Sequence, residues 1–253
     1  MSWPLDSFLI GLLPKRRNTC LLCVDKQQRT DNLKEATGGW TAAAIELVYD
    51  DILRYNKAGF DFTADTVDFD NFRAGVLWWA DNVAGMESDW RQDILNTAKI
   101  GNTAYGYTQI TKATLPTMAK YWTQSVIRYN REGTYASYGE RKWHPRTPIS
   151  ARLGILKTPD WVEELKDESK DHIELIDALT YDQVIALTIV HAKAKSNDED
   201  WVALQSGNET SCKTLYDYGH HTAPDAETIK RSKEFFICQK TKKPTSSWFS
   251  VFD

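Results

Sequence analysis

Residues 72–88 read Phe-Arg-Ala-Gly-Val-Leu-Trp-Trp-Ala-Asp-Asn-Val-Ala-Gly-Met-Glu-Ser. Within them Phe72, Val76, Trp79, Val83 and Met86 recur at spacings of 4, 3, 4 and 3, the period at which an α-helix returns to one face. Asp68 or Asp70 stands where such a helix needs its N-cap. Burying side chains of this kind stabilises by about 1.5–3 kcal/mol each before the entropy of ordering them is counted. Glu87 follows Val83 by one turn, so it lies beside the apolar stripe at the helix's C-terminal end. There the negative end of the helix dipole and partial desolvation both act to raise a carboxyl pKa. The stretch therefore predicts a long amphipathic helix that ends on an acid with an elevated pKa.

Upstream, Ala42, Ile45, Val48, Ile52 and Tyr55 recur at helical spacing and predict a helix over 41–57, closed by Gly59. A polar loop containing Asp61, Thr63, Asp65 and Asp68 follows. Downstream, 101–110 reads as a loop entering a short strand, and 112–129 as a helix with Pro116 in its first turn. Residues 131–158 hold Gly133, Gly139, Pro145, Pro148 and Gly154 among tyrosines, tryptophans and arginines. They predict a long structured loop or small β-region, and loops of that length are usually functional. Thr158-Pro159 opens a helix running toward Ala178, with Thr as N-cap and Pro at N1. Thr180-Tyr181-Asp182-Gln183 is a capping box. The run Val184 to Val190 behind it is apolar all round, which predicts the central buried helix. A last helix opens at 222–225 and runs through Phe236. The expected fold is mainly α with a small β/loop region. A body at 41–240, with an insertion around 131–178, is flanked by an N-terminal arm (1–40) and a short aromatic tail (241–253).

Composition narrows the function. With 31 basic and 35 acidic side chains the net charge is −4, which leaves no basic footprint for a nucleic-acid partner. At 42% hydrophobic and 26% charged residues the chain is globular rather than disordered. A chain of this length buries roughly three quarters of its unfolded surface, so it needs no disulfide or metal to hold it. No run approaches the roughly 18 apolar residues of a membrane span. The apolar stretch at Phe8 to Leu13 has Asp6 before it and Lys15, Arg16 and Arg17 after it, the reverse of a cleaved secretory signal. It is expected to dock on a partner or pack on the body. Cys20-Leu21-Leu22-Cys23 is a lone pair, because Cys212 and Cys238 form no second knuckle, and structural zinc needs four ligands. Free thiols in a reducing compartment are expected. The ten tryptophans serve as core or as stacking platforms for a flat ligand, and composition does not choose between the two.

Three short pieces carry chemistry: Glu87-Ser88 at a helix end, Ala104-Tyr105-Gly106-Tyr107-Thr108-Gln109-Ile110, and Tyr216-Asp217-Tyr218-Gly219. Their order and character resemble the lytic transglycosylases of the lysozyme superfamily, relatives of goose-type lysozyme. That family has a Glu-Ser at a helix end, then a Gly-Leu-Met-Gln-type turn and strand, then a Tyr-Asn-Ala-Gly segment. Glu87 matches the catalytic acid. Gly106 and Gln109 match the second motif, and Tyr216 and Gly219 the third. The resemblance spans the stripe helix to Gly219, and no single piece of it is specific. Three departures stand out. Asp217 occupies the family's Asn position, Tyr107-Thr108 replace an apolar pair, and the segment between the second and third motifs is long.

The resemblance implies an α+β lysozyme-like catalytic domain acting on peptidoglycan glycan strands, without cofactor or metal. Glu87 would protonate the oxygen between N-acetylmuramic acid and N-acetylglucosamine, then accept the proton of the muramoyl C6 hydroxyl as a 1,6-anhydro ring closes. A carboxylic acid held partly out of water suits that first step. Tyr216 would orient Glu87. Ser88, Gly106, Tyr107, Gln109, Asp217 and Gly219 would line the substrate site, with Tyr107 equally able to serve packing. Asp217 could raise the Glu87 pKa further or act as a second carboxylate that diverts the reaction to hydrolysis. Its plain alternative is a solvated or backbone-bonded side chain. Trp90, Tyr138 and Trp143 are candidate stacking platforms. His220-His221 lack metal-site spacing and a carboxylate partner, so they are expected to form hydrogen bonds at the cleft rim. His191 is expected as a core histidine. The missing secretory signal points to a phage virion enzyme that reaches the cell wall with the particle, its arm and tail docking on virion proteins. The competing readings are a hydrolytic muramidase of the same superfamily, with Asp217 or Asp89 activating water, and a virion structural or adaptor protein that keeps the fold.

Overall fold

The Phe72–Met86 stripe lies inside the helix α2 (Phe69–Ser88), and all five of its side chains are buried. Asp68 caps α2 by accepting from the Asn71 N–H at 2.8 Å. The chain is seen in a computed structural model that describes residues 39–54, 65–96, 103–127, 142–145, 158–221 and 226–239. The arm up to residue 38, the tail at 241–253, the Cys20–Cys23 pair and Tyr138 lie outside the described residues.

In chain order the remaining elements are α1 (Gly39–Arg54), β1 (Leu95–Asn96), β2 (Ala104–Tyr105), β3 (Ile110–Thr111), a 3-10 turn at Lys112–Thr114, α3 (Leu115–Thr123), β4 (Gln124–Ile127) and β5 (Lys142–Pro145). They continue with α4 (Asp160–Glu164), α5 (His172–Asp177), α6 (Tyr181–Lys193), α7 (Asp198–Ala203), a 3-10 turn at Leu204–Ser206, α8 (Glu209–Thr214), a π-helical turn at Leu215–His220 and α9 (Ala226–Gln239). Among the described residues the fold is mainly helical, with two small antiparallel sheets in the orders β1-β2-β3 and β4-β5. Among the described residues no helix is long and apolar enough to cross a membrane.

α6 is the central helix. The Thr180–Gln183 capping box forms in full, and Val184, Ile185, Leu187, Ile189 and Val190 are buried. α1, α2, α3 and the π-helical turn all pack on α6. Asp182 in its first turn reaches across to cap α1, accepting from the Trp40 and Thr41 N–H groups at 2.8 Å each. Every described tryptophan is in the core or packed against it, so for these eight the core reading holds. Trp40, Trp122 and Trp161 form an edge-to-face trio, and Trp79 sits edge-on to Trp201.

Two expectations are corrected. The helix expected over 112–129 ends at Thr123, and the chain continues as β4 paired with β5, Val126 opposite Trp143. β-branched Val126 and Ile127 favour a strand once a partner is present, and that partner is remote in sequence. The helix expected from Thr158 toward Ala178 is two short ones. It breaks where the Asp167 carboxylate takes the Ser169 N–H and hydroxyl into a local turn, and Asp171 then caps α5. This polar stretch offers its backbone side-chain partners that compete with helix.

α2 ends because Asp89 and Trp90 adopt left-handed conformations, φ 55° and 58°. Their N–H groups close on Gly85 and Ala84 carbonyls. The turn folds the Trp90 ring onto Gly85, where an added Cβ would meet Trp90 Cη2 at 2.4 Å. Gly85→Ala is therefore expected to destabilise the protein by about 1–3 kcal/mol, the range for overpacking a core. Thermal unfolding followed by circular dichroism checks it, and an unchanged midpoint would show that the Trp90 ring is free to move aside.

Candidate functional site

Glu87 is the penultimate residue of α2, and its side chain keeps only 9% of its surface exposed. The buried stripe on one side and the left-handed stop behind it leave the carboxylate facing the π-helical turn. Tyr216, fully buried in that turn, donates its hydroxyl proton to Glu87 Oε1 in a very short hydrogen bond. His221 Nε2 lies 3.1 Å from the same oxygen, and His220 Nε2 lies 3.9 Å from it. The rings of Tyr216 and His220 stack, and His221 stands edge-on to both. His221 is the open side of the cluster, with 31% of its side chain exposed.

The expected rise in the Glu87 pKa is reversed. Burial pushes the carboxyl up, but the His221 hydrogen bond, the electrostatic pull of His220 and His221 and the Tyr216 hydrogen bond together bring it down to about 2. Burial and the neighbouring His221 lower His220 to about 3, so its ring is uncharged at neutral pH. There the Glu87 carboxylate is held by His221 and Tyr216. Burial, then the charge and hydrogen bond of Glu87, raise Tyr216 well above its ordinary value. Tyr216 thus stays a donor, and Glu87 rests as a carboxylate.

The second motif forms the β2–β3 turn beside this cluster. The Ser88 hydroxyl, buried at the end of α2, lies 2.8 Å from the Tyr107 carbonyl and 3.0 Å from that of Ala84. It also accepts the Arg91 N–H. Ser88 ties the helix end to the turn. Gly106 has φ 81°, and a Cβ there would press on Gln92 and Ile176 at 3.0 Å. Gln109 is left-handed as well, φ 54°. Its Nε2 donates to the Ile94 and Gly106 carbonyls at 2.9 Å each, while its buried Oε1 has no partner among the described residues. The Tyr107 ring is edge-on to Tyr181 at 4.9 Å, which is packing. Thr108 shares a 2.8 Å hydroxyl bond with Thr188 of α6.

Asp217 is fully buried and points elsewhere. Its Oδ2 takes Lys213 at 2.6 Å and its Oδ1 the Ser232 hydroxyl at 2.8 Å, and it is not among the groups that move Glu87. Neither sequence alternative describes it: it is a buried, paired aspartate. Gly219 packs on Ala192 and Ser196. Trp90 is not a platform but a buried plug whose Nε1 donates to Asp81. Trp143 is half-buried on β5 under the Lys120 ammonium, 4.6 Å from its ring centre. His191 is buried on α6 as expected.

The sequence places the histidine doublet in hydrogen bonds at the cleft rim but offers it no carboxylate partner, and two further contributors are not read from it. The carboxylate partner lies 134 residues away from His221. Gln92 donates to the Ile176 carbonyl and accepts the Tyr107 N–H, so α5, at the end of the supposed insertion, forms part of the turn's support. Asp81 gathers Trp90 Nε1 and the Tyr181 hydroxyl beneath the site. No local pattern marks either residue.

No protein-family model matches the chain, and no curated protein or solved structure matches it either. The fold and the site define a mainly helical domain with a buried carboxylate gripped by a tyrosine and two adjacent histidines.

Proposed function

We propose that the chain is a peptidoglycan-cleaving lytic transglycosylase with a lysozyme-like α+β catalytic domain, in which Glu87 is the general acid and base. One observation carries the reading: three separate motifs meet at the end of α2. Glu87 ends α2, Ser88 bonds the Tyr107 carbonyl of the second motif, and Tyr216 of the third bonds Glu87. In this reading Tyr216 fixes the carboxylate, and Gln109 shapes the substrate side of the β2–β3 turn through its bonds to the Ile94 and Gly106 carbonyls.

The cycle runs on one proton. Protonated Glu87 gives it to the glycosidic oxygen as the C1–O bond between N-acetylmuramic acid and N-acetylglucosamine breaks. The carboxylate then takes the C6 hydroxyl proton while that oxygen bonds to C1, and no water is consumed. Glu87 rests ionised, so a proton has to reach it first. A sugar ring laid over half-exposed His221 excludes water and strengthens the burial that already pushes the carboxyl up. Delivery by a phage particle, with the arm and tail docked on virion proteins, belongs to the same reading.

Digestion of purified peptidoglycan, read as muropeptides by mass spectrometry, tests it. Anhydro-muramoyl ends support the reading. Reducing ends would replace it with a hydrolytic muramidase, and no cleavage across several pH and salt conditions would leave a structural virion role. Because the Asp217 carboxylate is taken by Lys213 and Ser232, Asp217→Asn is expected to leave the ratio of anhydro to reducing ends unchanged. It should cost about 1–3 kcal/mol of stability through the weakened buried bonds. A shift in that ratio would bring Asp217 back into the chemistry.

A further inference from the structure

We propose that Glu87, His220 and His221 form a binding site for a divalent transition metal of the zinc class. One ligand atom from each residue falls within a set whose members all lie within 4.8 Å of one another. The two distances to Glu87 Oε1 are 3.1 Å from His221 and 3.9 Å from His220. Ligand bonds of about 2.0–2.1 Å arranged tetrahedrally put neighbouring ligand atoms about 3.3 Å apart. The His221 distance already fits, and the His220 distance has to close by about 0.6 Å through side-chain rotation.

The backbone explains how two adjacent histidines reach one carboxylate. Consecutive residues of an α-helix diverge by about 100° around the axis. Here the π-helical turn stops at His220, and His221 is extended at φ −88° and ψ 155°, which swings its ring back to the same oxygen. π-helical turns of this kind are frequent at functional sites.

The surroundings of His220 suit a ligand. Its side chain is only 8% exposed, and its ring bonds to the Thr108 backbone. A metal-ligating imidazole commonly gives its other ring N–H to a backbone carbonyl, which fixes the nitrogen that faces the ion. The donor set decides the class of ion. Two imidazoles and one carboxylate suit zinc, cobalt or nickel, whereas calcium and magnesium seek oxygen cages. Tyr216 supplies the outer hydrogen bond that orients a ligating carboxylate. Three protein ligands leave a fourth position open, on the side where His221 is half-exposed. The site goes beyond the transglycosylase reading. One consequence rests on that reading: metal and glycan compete for Glu87 Oε1, so occupancy silences cleavage.

The test titrates the full chain, carrying Cys20→Ser and Cys23→Ser so that the thiol pair takes no metal, with zinc chloride in a calorimeter. Cobalt chloride, followed by visible absorption, reports the ligand geometry. One equivalent is expected to bind, and Glu87→Gln or His221→Asn is expected to weaken binding by at least about a hundredfold. His144→Asn with His172→Asn should leave it unchanged. Zinc should raise the melting temperature of the parent chain and not that of the Glu87→Gln variant, a readout that also shows the variant is folded. No binding, or equal binding by Glu87→Gln and His221→Asn, overturns the proposal. The binding readout is independent of wall digestion. A chain that binds zinc and cuts nothing keeps the metal site and ends the transglycosylase reading, and one that cuts without binding zinc does the reverse.

Discussion

Glu87→Gln is expected to slow peptidoglycan cleavage by about 10²–10⁴-fold, the usual contribution of a positioned general acid–base. The substitution is nearly isosteric. A glutamine Oε1 still accepts the Tyr216 hydroxyl proton that Glu87 accepts now, and the buried stripe of Phe72 to Met86 is untouched. What disappears is the capacity to hold a proton and release it. The melting temperature is expected to stay within about 2–4 °C, equivalent to roughly 1 kcal/mol in a chain of this size. Muropeptide release over time, measured beside the thermal midpoint, checks both halves. Wild-type rates in the variant would remove Glu87 from the chemistry. A collapse of the midpoint would instead mean that the activity was lost through unfolding.

The largest single loss of stability is expected from Lys193→Met. Lys193 ends α6 with its side chain 2% exposed, and its ammonium lies 2.5 Å from Asp198 Oδ1, itself 7% exposed. Removing the cation strands a buried carboxylate, which costs about 3–5 kcal/mol, or on the order of 6–20 °C in midpoint. Burial already pushes the Asp198 carboxyl up, and Lys193 is what draws it down. In the variant it rises further. A carboxyl raised in the folded state adds stability below its unfolded pKa and loses it as pH rises through the folded value. The Lys193→Met penalty should therefore be smaller in acid than at neutrality. Lys193→Met combined with Asp198→Leu should recover most of the loss, because an apolar pair can replace a buried ion pair at little cost. Urea and thermal unfolding at two pH values decide it. A penalty below about 1 kcal/mol, or no recovery in the double variant, would show that the pair is not a closed buried unit.

Much of this architecture is written locally. The stripe of α2, the Asp68 cap and the Thr180–Gln183 box are properties of residues within a few turns of one another, and each forms as read. The break within 158–178 is local as well, made by the Asp167–Ser169 turn, whereas the error at Gln124–Ile127 falls where a distant segment decides. The strand at Gln124–Ile127 exists because Lys142–Pro145 pairs with it, and helical spacing up to Thr123 holds no trace of that partner. The same is true of the site. Tyr216 on Glu87 followed from the order of motifs, whereas the His221 contact and the paired state of Asp217 depend on how the π-helical turn rotates. The Glu87 pKa was read with the wrong sign for that reason: dipole and burial were visible in the sequence, and the histidines that outweigh them were not.

The clasp between Asp182 and the start of α1 has a consequence during synthesis. The first helix of the described body is completed by a residue made 141 positions after Thr41. At about 5–20 residues per second, a ribosome takes on the order of 10–30 s to cover that interval. Throughout it Ala44, Leu47, Val48 and Ile52, all fully buried in the finished protein, have no α6 to cover them. The nascent chain thus passes through a timed window in which the first of its described helices carries an uncovered apolar face, and the emergence of Asp182 closes that window.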